Sequence, residues 1–410
     1  MNLEHITLPV YGKIKIPELI HKILLLPEIQ RLRQVSLSNI DSCSLTAIGG
    51  VSRYEHSVGT AILAWKLAEK LKLDEQFKSE LTLAAGLHDV SAPGLGHLFE
   101  EGCKLAGVEF DHEKKLREIV ICEEQPYYQA YLGKELGCRK LMNDLNVSSI
   151  SVFDAIAGQG RCKDAINGSM DLDNIDNVAR MLTRLGVIVP AEEVFSFINI
   201  FEVSRGTISI SLNRRNLFEK WLSLRRNLYN ILMPEPTDFV AKSMTKQAVC
   251  IGLKSKIISV NDWYLTDQQL FHKLIEAPET ADLIKGLLLG QYYRLVGMYW
   301  IEGEKEVSAL MDNLKRENLQ RQANDNIGKG IIIDYIRDKR ERYIGKSPPS
   351  HKALIGVISK YSSQAKYEQE SCDDFMRNNF SIFEKVSPGD NYLHADIIKE
   401  SSQSLLPFND

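Results

Sequence analysis

Apolar residues recur along most of the chain at intervals of three and four, the spacing that lines one face of a helix. Strand-like alternation is confined to short pieces such as 13–16 and 207–212. The pattern predicts a mainly α fold: a helical bundle core, then a smaller, mostly helical C-terminal lobe with short β pieces. Three helices are plainest. The stretch 57–73 carries Val58, Ile62, Trp65 and Leu67, with Lys66, Glu69 and Lys70 on the far side. The stretch 78–89 places Leu81, Ala84, Ala85 and His88 at i, i+3, i+4 and i+7. A third, 171–185, puts Leu172, Ile175, Ala179 and Leu182 on one face and stops at Gly186, a residue suited to the left-handed position after a helix.

Between these helices, 90–96 reads as a loop with Ser91, Pro93, Gly94 and Gly96, and 158–169 as another irregular connection. After about Asn230 the pattern stays helical but loses its histidine and carboxylate clusters. Pro234 and Pro236 mark one break, Pro348 and Pro349 another, and a tail begins at about position 387. The expected division is a core over 1–230 and a helical region over 231–410 that completes the fold. At about 100–200 residues per domain, the length equally allows several domains or one large domain with a lobe.

With 50 basic and 54 acidic residues, net charge −4, the chain has no global pull toward nucleic acid or anionic lipid, so phosphate must be handled by local clusters. Seven cysteines are scattered without a Cys-x-x-Cys pair, which argues against a disulfide framework or structural zinc and for a reducing cytoplasm. The first ten residues, with Glu4, His5 and Pro9, do not resemble a targeting segment, and no apolar run reaches the about 18 residues a membrane span needs.

Four of the nine histidines, His56, His88, His97 and His112, fall close together in sequence. His88 and Asp89 leave the same helix end, His56 begins another helix, and Asp173 on the later helix offers a second carboxylate. Two imidazoles and two carboxylates make a mixed nitrogen and oxygen shell suited to one divalent Mn, Fe, Mg, Co or Ni ion. A lone His-Asp pair is more often a satisfied core histidine, so the weight rests on the combination. Asp173, Asp176, Asn177 and Arg180 share one helix face opposite the apolar stripe, ordinarily a solvated face, with Asp176 and Arg180 placed to support a ligand.

The segments Gln30-Arg-Leu-Arg33, Arg53-Tyr-Glu-His56-Ser-Val-Gly59, Gly86-Leu-His-Asp89, Gly96-His-Leu-Phe99, His112-Glu113 and Asp171-Leu-Asp-Asn-Ile-Asp-Asn-Val-Ala-Arg180 occur in the order found in HD-domain phosphohydrolases. With Val10-Tyr-Gly12 and Leu224-Arg-Arg-Asn-Leu-Tyr229, the chain most resembles the deoxynucleoside triphosphate triphosphohydrolase branch over roughly its first 300 residues. The resemblance implies an HD-type helical core with one metal ion on His56, His88, Asp89 and Asp173, whose water attacks phosphorus. Binuclear relatives carry His-Asp-x-Gly-Lys where this chain has His88-Asp-Val-Ser-Ala92. It further implies that His112, held by Glu113 or another acid, works near the leaving group. His97 would line the site, Arg53 bind phosphate, and Arg226, Tyr229 and Asn177 contact substrate. A homo-oligomer is implied by the resemblance alone. Asp267, beside a Thr266-x-x-Gln269 capping pattern, is explained by helix capping.

Several selecting positions depart from that branch. Ala92 stands for an active-site histidine, Asn174 for a phosphate-binding lysine, Asn177 for a tyrosine beside the sugar, Met181 for an acid near the 3′-hydroxyl, and Leu37 for a glutamine. Losing a partner that reads hydroxyls changes discrimination by orders of magnitude. The expectation is a metal-dependent phosphohydrolase on a nucleotide, with dNTP cleavage to deoxynucleoside and tripolyphosphate as nearest template. Alternatives are a phosphomonoesterase or phosphodiesterase on another nucleotide, and a nucleotide sensor with little turnover. A single-stranded nucleic-acid binder would have to build its groove from Arg214, Arg215, Arg225 and Arg226.

Overall fold

Four of the helices that frame the site start on a side-chain cap. Ser52 accepts from the Glu55 amide to begin α1 (Arg53–Leu71), Asp74 from Phe77 to begin α2 (Glu75–Leu87), and His88 follows directly at the end of α2. Helix α3 (His97–Ala106) starts after Leu95 and Gly96, both at positive φ, and α4 (His112–Val120) is capped by Asp111. Helix α5 (Leu172–Arg184) is capped by Asp171, and Gly186 at φ +83° turns the chain away beyond it. The three helices predicted most plainly are α1, α2 and α5, and the fold is mainly α. The computed structural model describes residues 4–38, 44–121, 137–342, 351–360 and 365–386. Cys43, Cys122, the Pro348–Pro349 break and the tail from 387 lie outside the described residues.

Two short hairpins accompany the helices, β1 (His5–Leu8) with β2 (Gly12–Lys15) and β3 (Phe201–Ser204) with β4 (Thr207–Ile210), close to the alternating pieces in the sequence. The segment read as an irregular connection at 158–169 holds one short helical turn, Lys163–Ile166. Helices α6 (Arg215–Leu232) and α7 (Pro236–Lys254) continue the core. No described helix is long and apolar enough to cross a membrane.

Beyond α8 (Asp267–Ile275), the chain stays mostly helical as expected, and its β pieces pair into one sheet. Strands β5 (Arg294–Glu302), β6 (Ile331–Arg337), β7 (Lys352–Ser359) and β8 (Phe383–Lys385) form an antiparallel sheet in the order β6-β7-β5-β8. Leu354 and Ile358 face the main core, and Gly356 lies so close to Phe239 of α7 that a side chain there would strike the ring. Ala353, Ile355 and Val357 on the other face join a second core with Val307, Leu310, Phe375 and Met376. With both faces buried, β7 has no polar face, and its short apolar run has no helix-versus-strand signature.

Candidate metal centre and cavity

His56 Nδ1 lies 2.8 Å from Asp176 Oδ2, and His88 Nδ1 lies 2.7 Å from the Ala85 carbonyl. Each ring is thereby oriented with Nε2 turned to the same point. There, His56 Nε2 is 3.1 Å from His88 Nε2 and 2.9 Å from Asp173 Oδ1, and His88 Nε2 is 3.9 Å from the same oxygen. Two imidazole nitrogens and a carboxylate oxygen converging this closely, within 4.8 Å of one another, fit a divalent cation. Asp89 approaches from the side, with Oδ2 3.8 Å from His88 Nε2 and both oxygens 2.9 Å from Arg53 Nη1. It stands outside the tightest cluster of His56, His88 and Asp173.

The electrostatics favour positive charge. Burial opposes protonation of His56, but Asp173 and Asp176 outweigh it and raise its pKa to about 10. Burial likewise opposes ionisation of Asp89 and Asp173, yet Arg53 and the histidines on Asp89, and His56 on Asp173, hold both carboxyls below the usual range.

Behind His56 the support is layered. Arg180 Nε and Nη2 donate to the two oxygens of Asp176 at 2.9 and 2.8 Å, and the Tyr11 hydroxyl donates to Oδ1 at 2.6 Å. Asp176 and Arg180 therefore sit beneath the centre as the face pattern suggested. Gly59 of α1 makes room for them, because a Cβ there would collide with the Asp176 carboxylate and Arg180.

The centre opens into a cavity of about 680 Å³. His97, His112 and Glu113 line it, as do Arg53, Tyr229 and Asn177 and the departing positions Leu37, Ala92, Asn174 and Met181. The acid that holds His112 is Glu100: its Oε1 is 3.1 Å from His112 Nδ1, and its Oε2 is 3.2 Å from His97 Nδ1. Although burial opposes it, pairing with the two histidines holds the Glu100 carboxyl well below the usual range, while Glu100 raises the pKa of His112.

Arg226 does not line the cavity; it pairs with Glu341 at 2.7 Å and is half exposed. One step along α6 turns the side chain by about 100°, so its neighbour Arg225 is the buried one. Arg225 donates to Asn174 Oδ1 at 2.9 Å and lies over the Tyr229 ring. Arg215 pairs with Glu219, so these arginines do not line one common groove.

Asp267 does more than follow a cap. Thr266 and Gln269 form the capping box as read, while Asp267 accepts from the Leu95 amide at 2.7 Å and the Ser36 amide at 2.8 Å. It thus fixes Leu95 at φ +61°, costly for a residue with a side chain, just before α3. Arg31 braces the same loop by donating to the Val90 carbonyl. Glu100, Arg225 and this clamp were missed as partners in the sequence, because nothing local marks a pairing made across the fold.

Residues 53–158 match the HD domain family model. An uncharacterized protein of Methanocaldococcus jannaschii is 25% identical over 327 residues, spanning 75% of this chain and 63% of its own length. The chain thus aligns with less than two thirds of that relative. His56, His88 and Asp89 fall inside the matched segment and Asp173 just beyond it. Residues 53–158 are thus similar to an HD domain, the domain of a metal-dependent phosphohydrolase superfamily.

Proposed function

We propose that this protein is a metal-dependent phosphohydrolase acting on nucleotides, with cleavage of a dNTP to deoxynucleoside and tripolyphosphate as the nearest template. The observation that carries the reading is the convergence of His56 Nε2, His88 Nε2 and Asp173 Oδ1 at the floor of a cavity large enough for a nucleotide. His56, His88, Asp89 and Asp173 would hold one divalent ion, which when bound neutralises phosphate oxygens and lowers the pKa of a coordinated water. Arg53 fixes Asp89 and presents a guanidinium to the cavity wall. In hydrolysis the water oxygen bonds to phosphorus and releases a proton to solvent, the phosphorus–oxygen bond to the leaving group breaks, and the departing oxygen takes a proton. His112, held through Nδ1 by Glu100, would give that proton from Nε2, with Glu113 and His97 lining the same cavity.

A second reading, hydrolysis of a different nucleotide ester, is favoured by Asn174. Its amide is occupied by Asp171 and Arg225, so it does not replace the phosphate-binding lysine of the resembled branch. The test is product analysis with dNTPs, NTPs and nucleoside monophosphates, supplied in turn with Mn, Mg, Fe, Co and Ni. Metal-dependent release by wild type but not by Asp173→Ala is the expected result. Tight binding without product would replace the enzyme by a nucleotide sensor.

A further inference from the structure

The wall facing the HD helices comes from the C-terminal lobe. Strand β6 and the residues after it bring Arg337, Lys339 and Arg342 to the cavity, α9 (Asn313–Asn326) brings Arg316, and α3 adds Lys104. The carboxylates around them are largely engaged: Glu101 and Asp334 grip Lys246 at 3.0 and 2.6 Å, Asp238 pairs with Lys242, and Glu100 holds its two histidines. Among the described residues, those five cations line the cavity without an ion pair, and the carboxylates left facing them are the exposed Glu113 and the buried Asp171, which is taken up by the cap of α5. Uncompensated like charges gathered around one concavity repel each other and are relieved by an anion.

We infer that Arg337, Lys339 and Arg342 of the C-terminal lobe form an anion-binding wall for phosphate groups remote from the metal centre, selecting a chain of phosphates over a single one. The positions support this. Arg342 lines the same cavity as Asp171, the cap of the helix that carries Asp173, and Lys339 the same cavity as Glu101 of the helix that carries Glu100. The wall therefore borders the same space as the proposed reaction centre. As a substrate assignment the inference rests on the phosphohydrolase reading; as a binding site it stands without it. The phosphate chain could belong to a nucleotide or to inorganic polyphosphate.

Calorimetric titration of the full chain with tripolyphosphate, orthophosphate and a nucleoside triphosphate tests it. Wild type should bind tripolyphosphate at least about tenfold tighter than orthophosphate. The Arg337→Gln, Lys339→Gln, Arg342→Gln triple variant should lose about tenfold or more for tripolyphosphate and much less for orthophosphate. Lys339→Gln alone, at an exposed position, gives a smaller loss in the same direction and serves if the triple variant does not fold. Arg337→Lys with Arg342→Lys should retain most of the binding. Equal affinity for tripolyphosphate and the nucleoside triphosphate assigns recognition to the phosphates alone; tighter nucleotide binding adds a nucleoside contact to the same wall. Folded neutral variants that bind tripolyphosphate like wild type overturn the inference. Phosphate binding that depends on the wall, with no product from any substrate, upholds it and overturns only the catalytic reading.

Discussion

Asp176 holds His56 from behind, 2.8 Å from its Nδ1, while Arg180 clamps both oxygens of the same carboxylate. A buried arginine, carboxylate and imidazole are thus stacked in line with the metal-facing Nε2. Burial works against the Asp176 anion, but Arg180 and His56 lower its pKa to about 2. The geometry of the centre consequently depends on a side chain that does not itself face the cation.

Asp176→Asn should therefore damage both stability and ion binding. Arg180 has no exposed side-chain surface and, among the described residues, keeps only Glu55, at 3.3 Å, as a carboxylate partner. Removing one member of a buried pair costs about 3–5 kcal/mol, and disturbing the partner of a ligating histidine weakens metal affinity about 10–100-fold. Denaturant melts and metal titration measure the two. Tyr11→Phe, which removes one neutral donor from the same carboxylate, should cost less, about 1.5–3 kcal/mol.

Gly59→Ala should invert the usual helix rule. In an exposed helix interior alanine is better than glycine by about 1 kcal/mol. Here the added methyl meets Asp176 and Arg180, so a loss of about 1–3 kcal/mol is expected. Ion affinity should fall with it, and a variant as stable as wild type would show that the packing around Asp176 yields easily.

The Glu100–His112 contact gives a pH dependence with two edges. The folded pKa of Glu100 is lowered, so its contribution is present above the ordinary carboxylate value of about 4.3 and is lost as pH falls through the folded value. The folded pKa of His112 is raised, so its contribution is complete below about 6.5 and is lost as pH rises through the folded value. In Glu100→Gln, the His112 midpoint followed by imidazole NMR should move down toward the ordinary range, with any alkaline edge of activity following it. An unmoved midpoint would remove Glu100 from that role.

An ion bound only by the folded chain should stabilise it by about 2.7 kcal/mol at a hundred times its dissociation constant. Thermal melts with and without added divalent ion, after chelation, should show this shift for wild type. His56→Ala and Asp173→Ala should lose it. A shift that survives both substitutions would place the stabilising ion elsewhere.

The amino-acid sequence alone determined what is local. The periodicity of α1, α2 and α5, the His88–Asp89 pair at a helix end and the shared face of Asp173 and Asp176 follow from spacing over a few turns. Only the tertiary structure decided what depends on residues distant in the chain. It turned the run from Lys352 to Ser359 into a strand, because burial of both faces erases the alternation that would reveal one. It gave His112 to Glu100 rather than the adjacent Glu113, because consecutive helical side chains point about 100° apart. It turned Arg225 inward and Arg226 outward, and brought Arg337 and Arg342 across from the HD helices. Charge pairing acts through space, and the order of residues along the chain does not specify which distant partner a side chain will meet.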